Sequence, residues 1–165
     1  MLSHPEPLTA SHGLADFDCT EPSLNDWLKR RAWQNQVSGA TRTFVAADEG
    51  RVRAYYALAS SAVAPAAALG RFRRNMPDPI PVVVLARLAV HREHQGQGLG
   101  RALFQDAALR VIHAADAIGI RGLIVHALSD PAKRFYEQLG LQQSPLDPLV
   151  LMTTVADLKA ALAAA

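Results

Sequence analysis

The feature that most constrains this chain is the passage from Val82 to Gly100. Val82-Val83-Val84-Leu85-Ala86-Arg87-Leu88-Ala89-Val90 is a near-continuous apolar run, rich in valine, as in a central strand covered on both faces. It leads through His91 and His94 into Gln95-Gly96-Gln97-Gly98-Leu99-Gly100. Beyond that turn Leu99, Leu103, Ala107, Val111, Ala114 and Ile118 advance by three or four residues, which predicts a helix from about Leu99 to Ile118 with one apolar face. Strand, glycine turn and helix together make an anion site. The first amides of a helix lack intrahelical partners and carry the positive end of its dipole, and glycines let a phosphate approach the backbone.

Two familiar nucleotide turns fail here. A P-loop needs Lys-Ser or Lys-Thr after its last glycine, where this chain has Arg101-Ala102. A dinucleotide-binding turn needs Gly-x-Gly-x-x-Gly and an acidic residue ~20 positions on. The glycines here are Gly96, Gly98 and Gly100, and Asp116 falls inside the same helix.

The rest of the chain supplies a sheet. A first helix is expected to reach about Val37, capped by Thr20 or Ser23, with Leu24, Trp27, Leu28 and Arg31 on one face. Thr41–Ala47 and Val52–Ser60 read as a hairpin turning at Asp48-Glu49-Gly50. An alanine-rich stretch and Pro77, Pro79 and Pro81 leave an extended or turning segment before the apolar strand. Then come a strand at Gly122–Ala127, a helix at Asp130–Leu139 capped by Asp130 and followed by Gly140, a strand at Leu149–Val155, and a helical tail at Asp157–Ala165. One α/β domain over residues 1–165 is expected, its central sheet mixed with helices on both faces.

Composition narrows the setting. Half of the 165 residues are hydrophobic and 19% charged, as in soluble globular proteins. No apolar run reaches the ~18 residues of a membrane span, and the first residues lack a secretion signal. Cys19 is the single cysteine, expected as a small buried hydrophobe in a cytoplasmic protein. His91 and His94 stand in no recognisable metal-ligand pattern, so no metal site is expected, and no Ser-His-Asp or Cys-His arrangement has supporting context.

Gln95, Gly98 and Gly100 directly after an apolar strand resemble motif A of the GNAT superfamily of N-acetyltransferases. Asp130-Pro131-Ala132-Lys133-Arg134-Phe135-Tyr136-Glu137-Gln138-Leu139-Gly140-Leu141 resembles its second signature. The resemblance implies the GNAT fold, with a mixed, mostly antiparallel sheet, and acetyl-CoA as cosubstrate. Gln95 would open the cofactor-binding turn, and the amides from about Gly96 through Gln97, Gly98, Leu99, Gly100 and Arg101 to Ala102 would hold the pyrophosphate. Leu88, Ala89 and Val90 would bind the pantetheine arm like an added strand, entering a splay beside the strand that ends at His126. An amide near Leu88 would face the thioester oxygen, Phe135 would line the cofactor, and Tyr136 would give a proton to the departing sulfur. The base stays open among Glu137, Asp130 and His126. An α-amine with a pKa of ~7.7–8.0 is partly neutral at pH 7 and needs no strong one.

A narrower resemblance runs from about Phe17 to Val155. Asn25-Asp26-Trp27-Leu28, Thr41-Arg42-Thr43-Phe44-Val45, Tyr55-Tyr56, Arg74-Asn75-Met76-Pro77 and Val125-His126-Ala127 look like the GNAT toxins of bacterial toxin–antitoxin pairs. That family implies acetylation of the α-amine of aminoacyl-tRNA, a block of translation, a ribbon-helix-helix antitoxin that brings the pair to its operator DNA, and a homodimer. Fourteen of the seventeen basic residues are arginine, and Arg42, Arg71, Arg73, Arg74, Arg87 and Arg92 are the expected rim for tRNA phosphates. Leu141 and Ala54 depart from the toxin pattern, where an aromatic and a glycine are common. Two alternatives stay open: a GNAT enzyme for a protein N-terminus, lysine or small amine, and a non-catalytic coenzyme A binder, against which the intact Tyr136 argues.

Overall fold

A computed structural model describes residues 1–164. Its strands are β1 (Glu6–Pro7), β2 (Arg42–Asp48), β3 (Arg51–Val63), β4 (Ile80–Val90), β5 (Gly122–His126), β6 (Gln142–Gln143) and β7 (Val150–Thr154). They form one sheet in the order β1-β2-β3-β4-β5-β7-β6. β4 and β5 pair in parallel, whereas β1–β2, β2–β3, β5–β7 and β6–β7 are antiparallel. The sheet is therefore mixed and mostly antiparallel. The helices are α1 (Pro22–Trp27), α2 (Trp33–Ser38), α3 (Gly70–Arg73), α4 (Leu99–Ala115), α5 (Asp130–Gln138) and α6 (Val155–Ala164). The chain packs as two compact units, Met1–Ala59 with Ala86–Ala107, and Ser60–Leu85 with the residues from Ala108 onward.

In the first unit Leu8, Phe17, Cys19, Leu28, Val45, Val52, Tyr55 and Ala89 make the core, with Leu24 and Trp27 against it. Cys19 is buried, as expected, and that burial pushes its thiol pKa up. The first helix differs from expectation at both its start and its middle. Glu21, in an extended conformation, precedes Pro22 and makes no side-chain cap, while Thr20 has a φ of +76°. Neither Thr20 nor Ser23 is therefore the cap; a proline already fixed near the helical φ starts the helix instead. Between α1 and α2 the chain makes a π turn at Leu28–Ala32. The wider i→i+5 turn brings Ala32, not Arg31, back beneath Leu28. Both are fully buried and Arg31 is exposed. The β2–β3 hairpin turns where expected, through Glu49 and Gly50 at φ +51° and +78°.

The second unit has its own core of Ala68, Phe72, Ile80, Val82, Ile124 and Met152. Phe72 sits in α3, a single turn that the alanine- and proline-rich surroundings concealed. Arg121 anchors α3 by donating from Nε to the Phe72 carbonyl (2.8 Å) and from a terminal nitrogen to that of Arg71 (2.7 Å). The Phe72 ring packs so closely on β5 that a Cβ at Gly122 would lie 2.6 Å from it and would run into the Thr153 carbonyl oxygen. Gly122 has no room for a side chain. The cap of α5 is Ser129 rather than Asp130: its hydroxyl accepts the Ala132 N–H, and Asp130 is the first helical residue. Within α4, Leu103, Ala107 and Val111 are buried as the periodicity requires. The helix ends at Ala115, which leaves Ile118 62% exposed, off the expected face. The helical tail begins two residues earlier than expected, at Val155, and its last expected member, Ala165, lies outside the described residues.

Candidate active site

In the first unit β4 ends in backbone bonds that fix the strand before the glycine turn begins. His91 N–H donates to the Arg53 carbonyl and Arg92 N–H to that of Asp18, both at 2.8 Å. His91 is buried, accepts the Glu93 N–H at Nδ1 (3.2 Å) and meets the Phe17 ring edge-on. The histidines before the turn are thus packing and turn residues. Among the described residues no group of three or more His, Cys, Asp or Glu gathers to hold a metal ion.

Gln95 starts the turn and is tied down twice. Its carboxamide nitrogen donates to the Val90 carbonyl (2.9 Å) and to the Cys19 carbonyl (3.0 Å). A carboxamide has two N–H donors, and both are spent. This side chain is therefore a latch between the strand end and the segment around Cys19. Gly96 and Gly98 then take φ values of +76° and +82°, where a side chain is strained, and a Cβ at either would meet nothing within 4 Å. The Gly98 carbonyl accepts the first intrahelical bond of α4, from Ala102 N–H (3.1 Å). The amides of Leu99, Gly100 and Arg101 precede that bond and are available to an anion. The turn from Gln95 to Gly98 is exposed, so a pyrophosphate has access to it.

Upstream, Leu88 is half-buried while Ala89 and Val90 are buried. Beside them Arg87 lies over the Trp27 ring, 5.2 Å from its centroid, and donates to the Ala86 carbonyl (2.8 Å). Trp27 in turn stacks on Tyr55 at 5.9 Å, and the Tyr55 hydroxyl donates to the Leu24 carbonyl (2.7 Å). Tyr56 points its hydroxyl at the Asp106 carboxylate on α4.

In the second unit the parallel ladder runs from Val82↔Gly122 to Leu85↔Val125, and β4 continues past its last rung. Tyr136 sits near the end of α5 at 8% exposure, with the Phe135 ring edge-on at 5.1 Å. Burial pushes the Tyr136 phenol well above its ordinary pKa. It is protonated throughout the neutral range, which is the state a proton donor needs. Of the three open bases, Asp130, Glu137 and His126 are all exposed. His126, the last residue of β5, lines a cavity of about 170 Å³ together with Asp147, Ser144 and apolar residues of β3, β4 and β7. Sequence reasoning passed over Asp147 because only the long-range pairing of β5 with β7 brings it to this cavity.

The six arginines have different fates. Arg71, Arg73 and Arg74 lie in and just after α3, all exposed, and Arg71 holds Asp157 bidentately at 2.9 and 2.6 Å. The hydrogen bond from Arg71 keeps the Asp157 carboxyl below its usual range. In the first unit Arg42 donates to the Gln36 carbonyl (2.8 Å), Arg92 lies 3.8 Å from Asp18, and Arg87 is taken up by Trp27.

The chain belongs to the GNAT acetyltransferase family, whose domain model matches residues 39–143. It is an N-acetyltransferase. It is 49% identical over 158 residues to the tRNA-acetylating toxin of Mycobacterium tuberculosis (strain ATCC 25618 / H37Rv), covering 96% of this chain and 95% of that one. Its structure matches AtaT complexed with acetyl-methionyl-tRNAfMet at a TM-score of 0.89, with 31% identity over 98% of this chain and 99% of that one. It also matches a mutant AtaT toxin bound to the C-terminus of the antitoxin AtaR and acetyl-CoA, at a TM-score of 0.83 and 30% identity over 97% of each chain.

Proposed function

We propose that this protein is a toxin that transfers the acetyl group of acetyl-CoA to the α-amine of aminoacyl-tRNA and so blocks translation. The observation that carries the acceptor half is the 49% identity, over 96% of the chain, to a tRNA-acetylating toxin. The turn at Gly96–Gly98 and the amides of Leu99, Gly100 and Arg101 would take the pyrophosphate, with Arg101 and Ala102 at the helix start. Leu88, Ala89 and Val90 would carry the pantetheine arm, and an amide near Leu88 the thioester oxygen. The amine nitrogen attacks the thioester carbonyl, the carbon–sulfur bond breaks, and Tyr136 protonates the sulfur.

The exposed arginines support a polyanionic acceptor. Arg73 and Arg74 are the freest of the proposed rim, whereas Arg71 must release Asp157 before it can take a phosphate. An antitoxin partner of ribbon-helix-helix type, operator DNA bound through it, a homodimer and a cytoplasmic setting complete the reading. No helix among the described residues is long and apolar enough to cross a membrane. The test is to incubate the protein with labelled acetyl-CoA and charged tRNAs, beside Tyr136→Phe. Label on charged tRNA that the variant fails to transfer supports the reading. Label confined to bulk protein or polyamines overturns it.

A further inference from the structure

The cavity beside β5 joins an imidazole, a carboxylate and an apolar wall. It is lined by Ser61, Ala62 and Val63 from β3, Val82 and Ile124 from β4 and β5, and the loop before β7. Its volume of about 170 Å³ is close to the ~150 Å³ at which an apolar cavity accepts a benzene ring. An aminoacyl group fits such a space. His126 and Asp147 are the titratable residues in its lining.

The loop that carries Asp147 is held in place. The buried Ser144 hydroxyl donates to the Ala67 carbonyl (2.6 Å) and accepts the Leu146 N–H (3.2 Å). Asp147 Oδ1 accepts the Leu149 N–H (2.9 Å), and its carbonyl accepts the Val150 N–H (3.2 Å). On the facing strand, Ala127 N–H donates to the Leu149 carbonyl (2.7 Å), which fixes the end of β5 and with it His126. An exposed imidazole and a carboxylate thus line one largely apolar space, each beside hydrogen-bonded backbone. A primary ammonium on a small organic group fits them: the carboxylate attracts the cation, the imidazole accepts its proton, and the apolar wall takes the rest.

We propose that this cavity is the acceptor subsite, with Asp147 anchoring the ammonium of the aminoacyl ester and His126 acting as its general base. The proposal rests on the acetyl-transfer reading above. The ammonium gives one proton to His126 and becomes a free amine. That amine forms the new carbon–nitrogen bond as the carbon–sulfur bond breaks. Tyr136 protonates the sulfur and recovers the second proton that the nitrogen sheds, so the products are the amide, coenzyme A thiol and one proton passed from His126 to solvent.

The test compares His126→Gln, Asp147→Asn and Ala62→Trp with the natural protein, using charged tRNA and acetyl-CoA across pH 6 to 9.5. His126→Gln is expected to lower kcat by ~10²-fold at pH 6.5, within the usual range for a general base. The loss should fade above pH ~8, where an α-amine is neutral without help. Asp147→Asn should raise KM for charged tRNA and leave kcat close to its original value. Ala62→Trp, at an exposed strand position, should block the acceptor while calorimetry still shows acetyl-CoA binding. A His126→Gln variant that matches the natural rate at pH 6.5, or that loses the same fraction at every pH, overturns the proposal. If the natural protein labels only small amines, the tRNA reading fails. The same pH-dependent loss measured with those amines would still support His126 as the base.

Discussion

Replacing Gln95 separates two roles that a phosphate-turn glutamine can play. The structure makes it a latch: its two N–H donors hold the carbonyls of Val90 and Cys19 at 2.9 and 3.0 Å. Each such bond contributes roughly 1 kcal/mol net, so Gln95→Ala should destabilise the fold by about 2 kcal/mol. For a chain of this size ~2–4 °C is lost per kcal/mol, which predicts a fall in Tm of about 4–8 °C. The Gly96–Gly98 turn would then have to be reordered as ligand binds, and 2 kcal/mol corresponds to an affinity loss of up to ~30-fold for acetyl-CoA. Gln95→Glu preserves size but removes both donors and should lose at least as much. Differential scanning fluorimetry gives the first quantity and isothermal titration calorimetry the second. If affinity falls while Tm stays within about 1 °C of the natural protein, Gln95 binds the phosphate directly and the latch is wrong. If neither changes, the two carbonyl bonds carry no weight at all.

Other consequences are as direct. Tyr136→Phe should lower kcat by ~10²–10³-fold with acetyl-CoA affinity retained, read by steady-state kinetics beside calorimetry. Because burial raises the Tyr136 pKa, the natural enzyme should show no descending alkaline limb from this residue below pH ~10. Tyr55 and Tyr136 are both held neutral in the folded chain and titrate near 10 when unfolded. The stability they contribute is therefore intact below pH ~10 and declines above it, which a urea midpoint series against pH would show. Gly122→Ala should cost about 3 kcal/mol, since its new methyl meets the Phe72 ring and the Thr153 carbonyl, and a wild-type urea midpoint would contradict that packing. Removing Arg73 or Arg74 should reduce the slope of log affinity against log salt for tRNA by ~0.7–0.9 each, and an unchanged slope would take that arginine off the rim.

Much of the fold was legible because a few segments carry strong periodicity. The valine run before the glycine turn, the three-and-four spacing through α4 and the Pro131–Gly140 frame of α5 all lie where the pattern puts them. What escaped is what local pattern does not encode. β1 and β6 are two residues each and exist only through pairing, β1 with the distant β2 and β6 with β7. The π turn at Leu28–Ala32 keeps a helical composition yet shifts every later side chain, so Arg31 was expected on the core face and Ala32 occupies it. Ser129 and Asp130 are both good caps, and only the bond to Ala132 N–H decides between them. For the candidate site, residue types point to the turn and the tyrosine. The double use of the Gln95 carboxamide and the shared cavity lined by His126 and Asp147 depend on long-range geometry that no spacing reveals.

The stack of Arg87 on Trp27 on Tyr55 also gives the molecule an optical handle. The chain has two tryptophans, and their surroundings differ: Trp27 is sandwiched against the core, whereas Trp33 is 41% exposed on α2. Emission from Trp33 should follow solvent quenchers such as iodide, while that of Trp27 is shielded from them. Arg87 immediately precedes Leu88, so a ligand arm laid along Leu88–Val90, as proposed, would lie beside the residue whose cation rests on the indole. On that proposal the shielded component of the fluorescence would be a label-free gauge of cofactor arrival, with Trp33 as its internal standard.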